Sequence, residues 1–190
     1  IGKISIPNCR YITFKDGFAY VSSYAGPVQI DPNARLGYVA KVDTATLQVV
    51  AECPVGYQPD ELVISGDKLY VANSGGYRVP NYDKTISIID QKTFTELKKV
   101  DVAINLHRLE LDNYGKIWVS SRGDYYKVPS KIFVFDPKTE QVTKTLDVSC
   151  SNMTLAGDSL FVYSTEWSYI TGANTISYTV IDTKSQEVID

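Results

Sequence analysis

Apolar residues in this chain come in short runs, each cut off by Gly, Asp, Asn or Pro. The stretch Lys131-Ile132-Phe133-Val134-Phe135 alternates with period two, which marks a strand with one face packed. Other runs are nearly continuous, as in Lys68-Leu69-Tyr70-Val71-Ala72-Asn73 and Thr85-Ile86-Ser87-Ile88-Ile89-Asp90. That pattern suits a strand covered on both faces. Between such runs stand turns of the Ser65-Gly66-Asp67 and Asp136-Pro137-Lys138-Thr139 kind, where the first side chain can bond backbone ahead of it. No segment keeps an amphipathic helical period, so the chain is predicted to be all-β.

The runs recur. An aromatic residue followed by Val and small residues appears at Tyr20-Val21-Ser22-Ser23, Tyr70-Val71-Ala72-Asn73, Trp118-Val119-Ser120-Ser121 and, more loosely, Phe161-Val162-Tyr163-Ser164. An apolar residue followed by Asp closes a later strand at Asp43, Asp90, Asp136 and Asp182, about every 46 residues. Several strands in a unit of about 40–50 residues are the mark of a propeller blade. Four units are expected, over 9–58, 59–105, 106–149 and 150–190, each of four antiparallel strands a to d from the channel outward. Residues 1–8 read as an outer strand of the preceding or closing blade. The chain opens at Ile1 without a leader segment and stops inside a strand d. The expectation is therefore a single, partial β-propeller domain, four blades out of a larger ring. Cys9 and Cys150 fall in the same slot of their repeats. They would approach only in a closed four-blade ring, and are expected apart. Cys53 reads as a small packed hydrophobe.

The succession Pro59, Gly66, Tyr70-Val71-Ala72-Asn73 and Ile88-Ile89-Asp90 resembles the YVTN-type repeat of YncE-like, surface-layer-like bacterial propellers. The likeness covers nearly the whole chain and is strongest in the second and third units. The first unit departs by an insertion over 25–35, and the fourth has Phe161 for the tyrosine and lacks the proline. The resemblance implies a seven-bladed ring. It also implies export to the periplasm or cell surface, in some members with a lipoprotein anchor, and a binding or scaffold role.

Composition narrows the classes. At 190 residues and 44% hydrophobic content the chain can bury a core, which excludes disorder. A net charge of −3 argues against general nucleic-acid binding, which depends on neutralising phosphates. No apolar run approaches the ~18 residues of a membrane span. Three cysteines without a CxxC and one histidine leave no metal-centre pattern, and no cofactor is expected. Ser74-Gly75-Gly76 lacks a phosphate-loop context, the strand-end serines lack a nucleophile elbow, and Asn152-Met153-Thr154 is a coincidental sequon.

Candidate chemistry lies in the long b–c connections, 22–35, 73–84, 120–130 and 164–174. In a propeller these open on the same face as the d–a connectors, around the channel. They hold Tyr24, Tyr77, Arg78, Arg122, Tyr125, Tyr126, Trp167 and Tyr169, with Arg35, Tyr82, Asp83 and Asp124 among them. Such rings give contact area at little entropic cost, and Arg adds forked donors. They serve either as packing between blades or as a ligand surface. In extended chain only one of Tyr125 and Tyr126 would face outward. At the channel mouth the first positions of strand a align as Arg10, Asp60, His107 and Ser151, followed by Tyr11, Glu61, Arg108 and Asn152. This mixture suits a solvated entrance, a polar-ligand site or a cation site. His107 has no evident orienting partner in the sequence.

The leading expectation is a non-catalytic, exported module that binds a glycan, peptide or protein on this face. The alternative is a metal-dependent hydrolase or lactonase with a cation on Asp60, Glu61, Asn73 and Asn152. A third is a structural surface-layer protein. Open blade faces would also promote self-association.

Overall fold

The computed structural model describes residues 2–168 and 170–190, with Ser168 described by its backbone alone. Sixteen strands form four separate antiparallel sheets of four, and no helix occurs among the described residues. The first sheet is β1 (Cys9–Lys15), β2 (Phe18–Ser23), β3 (Tyr38–Asp43) and β4 (Gln48–Pro54). The second is β5 (Pro59–Ser65), β6 (Lys68–Asn73), β7 (Thr85–Asp90) and β8 (Thr95–Asp101). The third is β9 (Leu106–Leu111), β10 (Ile117–Ser121), β11 (Lys131–Asp136) and β12 (Gln141–Leu146). The fourth is β13 (Asn152–Ala156), β14 (Ser159–Ser168), β15 (Ala173–Asp182) and β16 (Glu187–Val188). These are propeller blades with inner strands β1, β5, β9 and β13, and they do not close into a ring.

The hydrophobic cores lie between blades. Leu69 and Val71 of β6 pack with Tyr20 and Val39 of the first blade. Their neighbours Tyr70 and Ala72 face the other way, onto Leu106, Val119 and Phe135 of the third. Period-two alternation therefore buries both faces of β6, which has a blade on either side. In the first three blades the aromatic repeat anchor fills the gap to the following blade. Tyr20 packs against the second blade, Tyr70 against the third, and Trp118 against the fourth. Each of these rings is fully buried, whereas Phe161 of the fourth blade, with no sheet beyond it, is 45% exposed. The opposite open face, on the first blade, shows Ile12 and Phe14.

The aspartate turns form as the sequence pattern requires. Asp43 Oδ1 accepts from the Ala45 and Thr46 amides at 2.9 and 2.8 Å. Asp90, Asp136 and Asp182 accept from Thr93, Lys138 and Ser185 in the same way.

Three expectations are revised. Residues 2–8 form no strand; without a neighbouring blade to pair with, Pro7 and Asn8 are tied instead to Ser23 and Tyr24. The fourth b–c connection is mostly a prolongation of the β14–β15 hairpin, whose pairing runs out to Ser168 and Ala173. Tyr125 and Tyr126 are both exposed, at 73% and 86%. They sit in a turn with Tyr125 at φ 62° rather than in extended chain, so strand alternation does not apply. Cys9, Cys53 and Cys150 are free thiols.

Candidate functional site

The three inner strands β1, β5 and β9 share one irregularity. The pairing skips from Cys9 opposite Ser23 to Ile12 opposite Val21, from Pro59 opposite Asn73 to Leu62 opposite Val71, and from Leu106 opposite Ser121 to Leu109 opposite Val119. In each, two residues stand opposite one. The doubled positions are Arg10 and Tyr11, Asp60 and Glu61, His107 and Arg108. A bulge bends the strand and re-aims its side chains, here into the channel mouth. In the first and third blades a serine takes up the displaced amide. Tyr11 N–H donates to Ser22 Oγ at 3.1 Å and Arg108 N–H to Ser120 Oγ at 2.9 Å. The second blade has Ala72 at that place, and its carboxylate does other work.

Asp60, fully buried, is the centre. Its Oδ1 accepts from the Tyr24 hydroxyl at 2.7 Å, and its Oδ2 faces His107 Nδ1 at 3.1 Å. Arg10 Nε and a terminal nitrogen of Arg122 stand further off, at 3.7 and 3.6 Å. The other terminal nitrogen of Arg122 lies 2.8 Å from His107 Nε2. A guanidinium can only donate, so Nε2 accepts and Nδ1 carries the proton toward Asp60. His107 is thereby held neutral; burial lowers its pKa, with Asp60 pulling the other way. Burial also pushes the Tyr24 phenol well up. Arg10 lies over the Tyr24 ring at 4.7 Å.

Beside this group, Glu61 pairs with Arg108 at 3.1 Å and accepts the Leu109 amide at 2.8 Å. Burial raises the Glu61 pKa to about 7, against the pull of Arg108. Arg108 also donates to the Met153 carbonyl at 3.2 Å and lies over Tyr11, 5.3 Å from its centroid. Inner strands of all four blades thus meet through Tyr11, Glu61, Arg108 and Met153.

The structure sorts the sequence candidates. It brings together Arg10, Asp60, Glu61, His107 and Arg108 at the mouth, and adds Arg122 and Tyr24 from the loop set. Tyr24 is buried, and half-buried Tyr77 meets its ring edge-on at 6.3 Å. Arg78 is folded over Tyr57 at 3.6 Å. Asn152 Oδ1 accepts its neighbour's amide, from Met153 at 2.9 Å. Trp167, opposite Asn174 on the hairpin, is 54% exposed. Tyr169 lies outside the described residues. Contrary to the sequence reading, His107 does have orienting partners, Asp60 and Arg122. They were hidden because the pairs are 47 and 15 residues apart in sequence. One signal was available: Ser follows the aromatic-Val anchor where the bulge needs an acceptor.

The cation alternative finds no support in the donor set. Asn73 is spent on structure, accepting from Gly56 N–H and donating to Thr85 and Ser87. Asp60 is ringed by cationic and donor groups that would repel a metal ion. Among the described residues no cluster of three or more His, Cys, Asp or Glu side chains is placed to hold one.

No family model and no curated protein matches the chain. Solved structures do. Hydrazine synthase of Kuenenia stuttgartiensis is similar over 90% of this chain and 50% of its own, at 18% identity and TM-score 0.72. Dihydro-heme d1 dehydrogenase NirN is similar over 97% of this chain and 37% of its own, at 14% identity and TM-score 0.63. BamB of Moraxella catarrhalis is similar over 89% and 42%, at 16% identity and TM-score 0.56. The chain therefore spans half or less of each of these structures. At such identities the likeness is one of fold: these are propeller-type proteins, and the present chain is four blades of that kind.

Proposed function

We propose that the chain is a non-catalytic binding module, part of an exported propeller, that captures a glycan, peptide or protein ligand on its loop-rich face. The observation that carries this reading is the exposure of Tyr125, Tyr126 and Trp167, at 73%, 86% and 54%, on b–c connections. The tyrosine pair is not a loose tip. Asp124 Oδ1 accepts the amides of Tyr126, Lys127 and Val128 at 2.9, 2.7 and 2.7 Å, so the turn is fixed before any ligand arrives. Rigid rings on a fixed turn bind without much ordering cost. No helix among the described residues is long and apolar enough to cross a membrane. The exposed Phe161 fits a further blade beyond the fourth, which belongs to the same reading.

The test is capture on mixed glycan and peptide arrays by the purified chain, followed by Tyr126→Ala and Trp167→Ala. Each variant should weaken capture about 10-fold or more, as truncated anchor residues do, with an unchanged melting temperature. Equal capture by wild type and both variants refutes the assignment of this face.

A further inference from the structure

We propose that the channel mouth is a receptor site for the carboxylate group of a small organic anion, gripped by Arg10 and Arg122 above Asp60 and His107. The proposal rests on the binding-module reading and names the chemistry of one part of its ligand.

The argument starts from an imbalance of charge. A single buried carboxylate, Asp60, has two guanidiniums within 4 Å, and the neutral His107 adds no negative charge. The shorter contacts to Asp60 are already taken by Tyr24 at 2.7 Å and His107 at 3.1 Å. At 3.7 and 3.6 Å the arginines feel its charge but do not spend an N–H on it in a good hydrogen bond. One positive charge and most of two donor forks are therefore left over. Arg108 is not in the same position, because Glu61 and the Met153 carbonyl engage it.

Both spare forks are held in place. Arg10 is laid on the Tyr24 ring at 4.7 Å, and Arg122 is tied to His107 Nε2 at 2.8 Å. Their side chains remain 34% and 29% exposed, so solutes reach them. Planar forks match a carboxylate in two-pronged geometry. At about pH 8, where Glu61 is ionised and offsets Arg108, the surplus of one charge selects a monoanion. A phosphate dianion beside Asp60 would leave the mouth net negative, and a cation would meet two like charges.

His107 is the chain's only histidine, so its imidazole resonances report on this site alone. The experiment, run at about pH 8 so that phosphate is mostly the dianion and Glu61 is ionised, titrates D-galacturonate into the intact chain, with galactose as the neutral control and inorganic phosphate as the dianionic one. Galacturonate should shift the His107 signals saturably, less strongly as salt rises from about 20 mM to about 0.5 M, and galactose should leave them in place. Arg10→Gln, at a side chain clear of the core, and Arg122→Lys, which keeps charge but loses the fork, should each weaken binding about 10-fold or more. Circular dichroism verifies that both variants stay folded. Silence toward galacturonate, equal affinity in Arg10→Gln, or tighter binding of phosphate overturns the proposal. If galacturonate fails while array capture still depends on Tyr126 and Trp167, the mouth assignment falls and the loop-face reading stands.

Discussion

Glu61 gives the chain a pH dependence of stability opposite to that of most carboxylates, and replacing it by glutamine should remove it. The side chain is only 16% exposed, and burial raises its pKa to about 7 from an ordinary 4.5, despite Arg108 at 3.1 Å. The sign follows from proton counting. Between these values the folded chain holds a proton that the unfolded chain has released, so stability falls as pH rises through the window. Integrated from about pH 5 to about pH 8, the loss is about 2 to 3 kcal/mol. Glu61→Gln keeps an oxygen for the Leu109 amide and cannot ionise. His107, whose pKa is lowered by burial, acts in the other direction, costing stability as pH falls below about 6.5. It is common to both chains and cancels in their difference. Urea unfolding of both proteins across this range should give free energies that diverge steadily toward high pH. Parallel profiles would refute the reasoning, for they would mean that Glu61 is ionised in the fold at all these pH values.

Two further tests address the scaffold of the site. Tyr24→Phe removes the hydroxyl that donates to buried Asp60 at 2.7 Å and should cost about 1–3 kcal/mol, seen as a melting temperature lower by several degrees. A change under about 1 °C would mean that water replaces the hydroxyl. Gly56→Ala would place a methyl carbon 2.3 Å from Asn73 Cγ and 2.5 Å from Asp83 Oδ2, displacing the network that ties the first d–a connector to the second loop. A loss of about 1–3 kcal/mol is expected, measured by urea unfolding, and an unchanged midpoint would contradict that close packing.

Much of the site was legible as positions and little of it as partnerships. Aligning the repeats placed Arg10, Asp60 and His107 in equivalent slots, because each occupies the same bulge of its inner strand. That Tyr24 would leave the loop set to bond Asp60 was not legible. Its ring lies under Arg10 and meets Tyr77 of the second unit edge-on, a contact between units that no single repeat announces. The exposure of both Tyr125 and Tyr126 escaped for a related reason: it depends on a left-handed turn anchored by Asp124, and strand alternation says nothing about turns.

What the sequence alone determined is the blade: strand length, alternation and turn chemistry are local, and each repeat spells them out within its own span. Which groups share a proton or a charge was decided only by the tertiary structure. Asp60, His107 and Arg10 come from three different sheets, and electrostatic coupling depends on distance and burial, which neighbouring blades set together and no single repeat encodes.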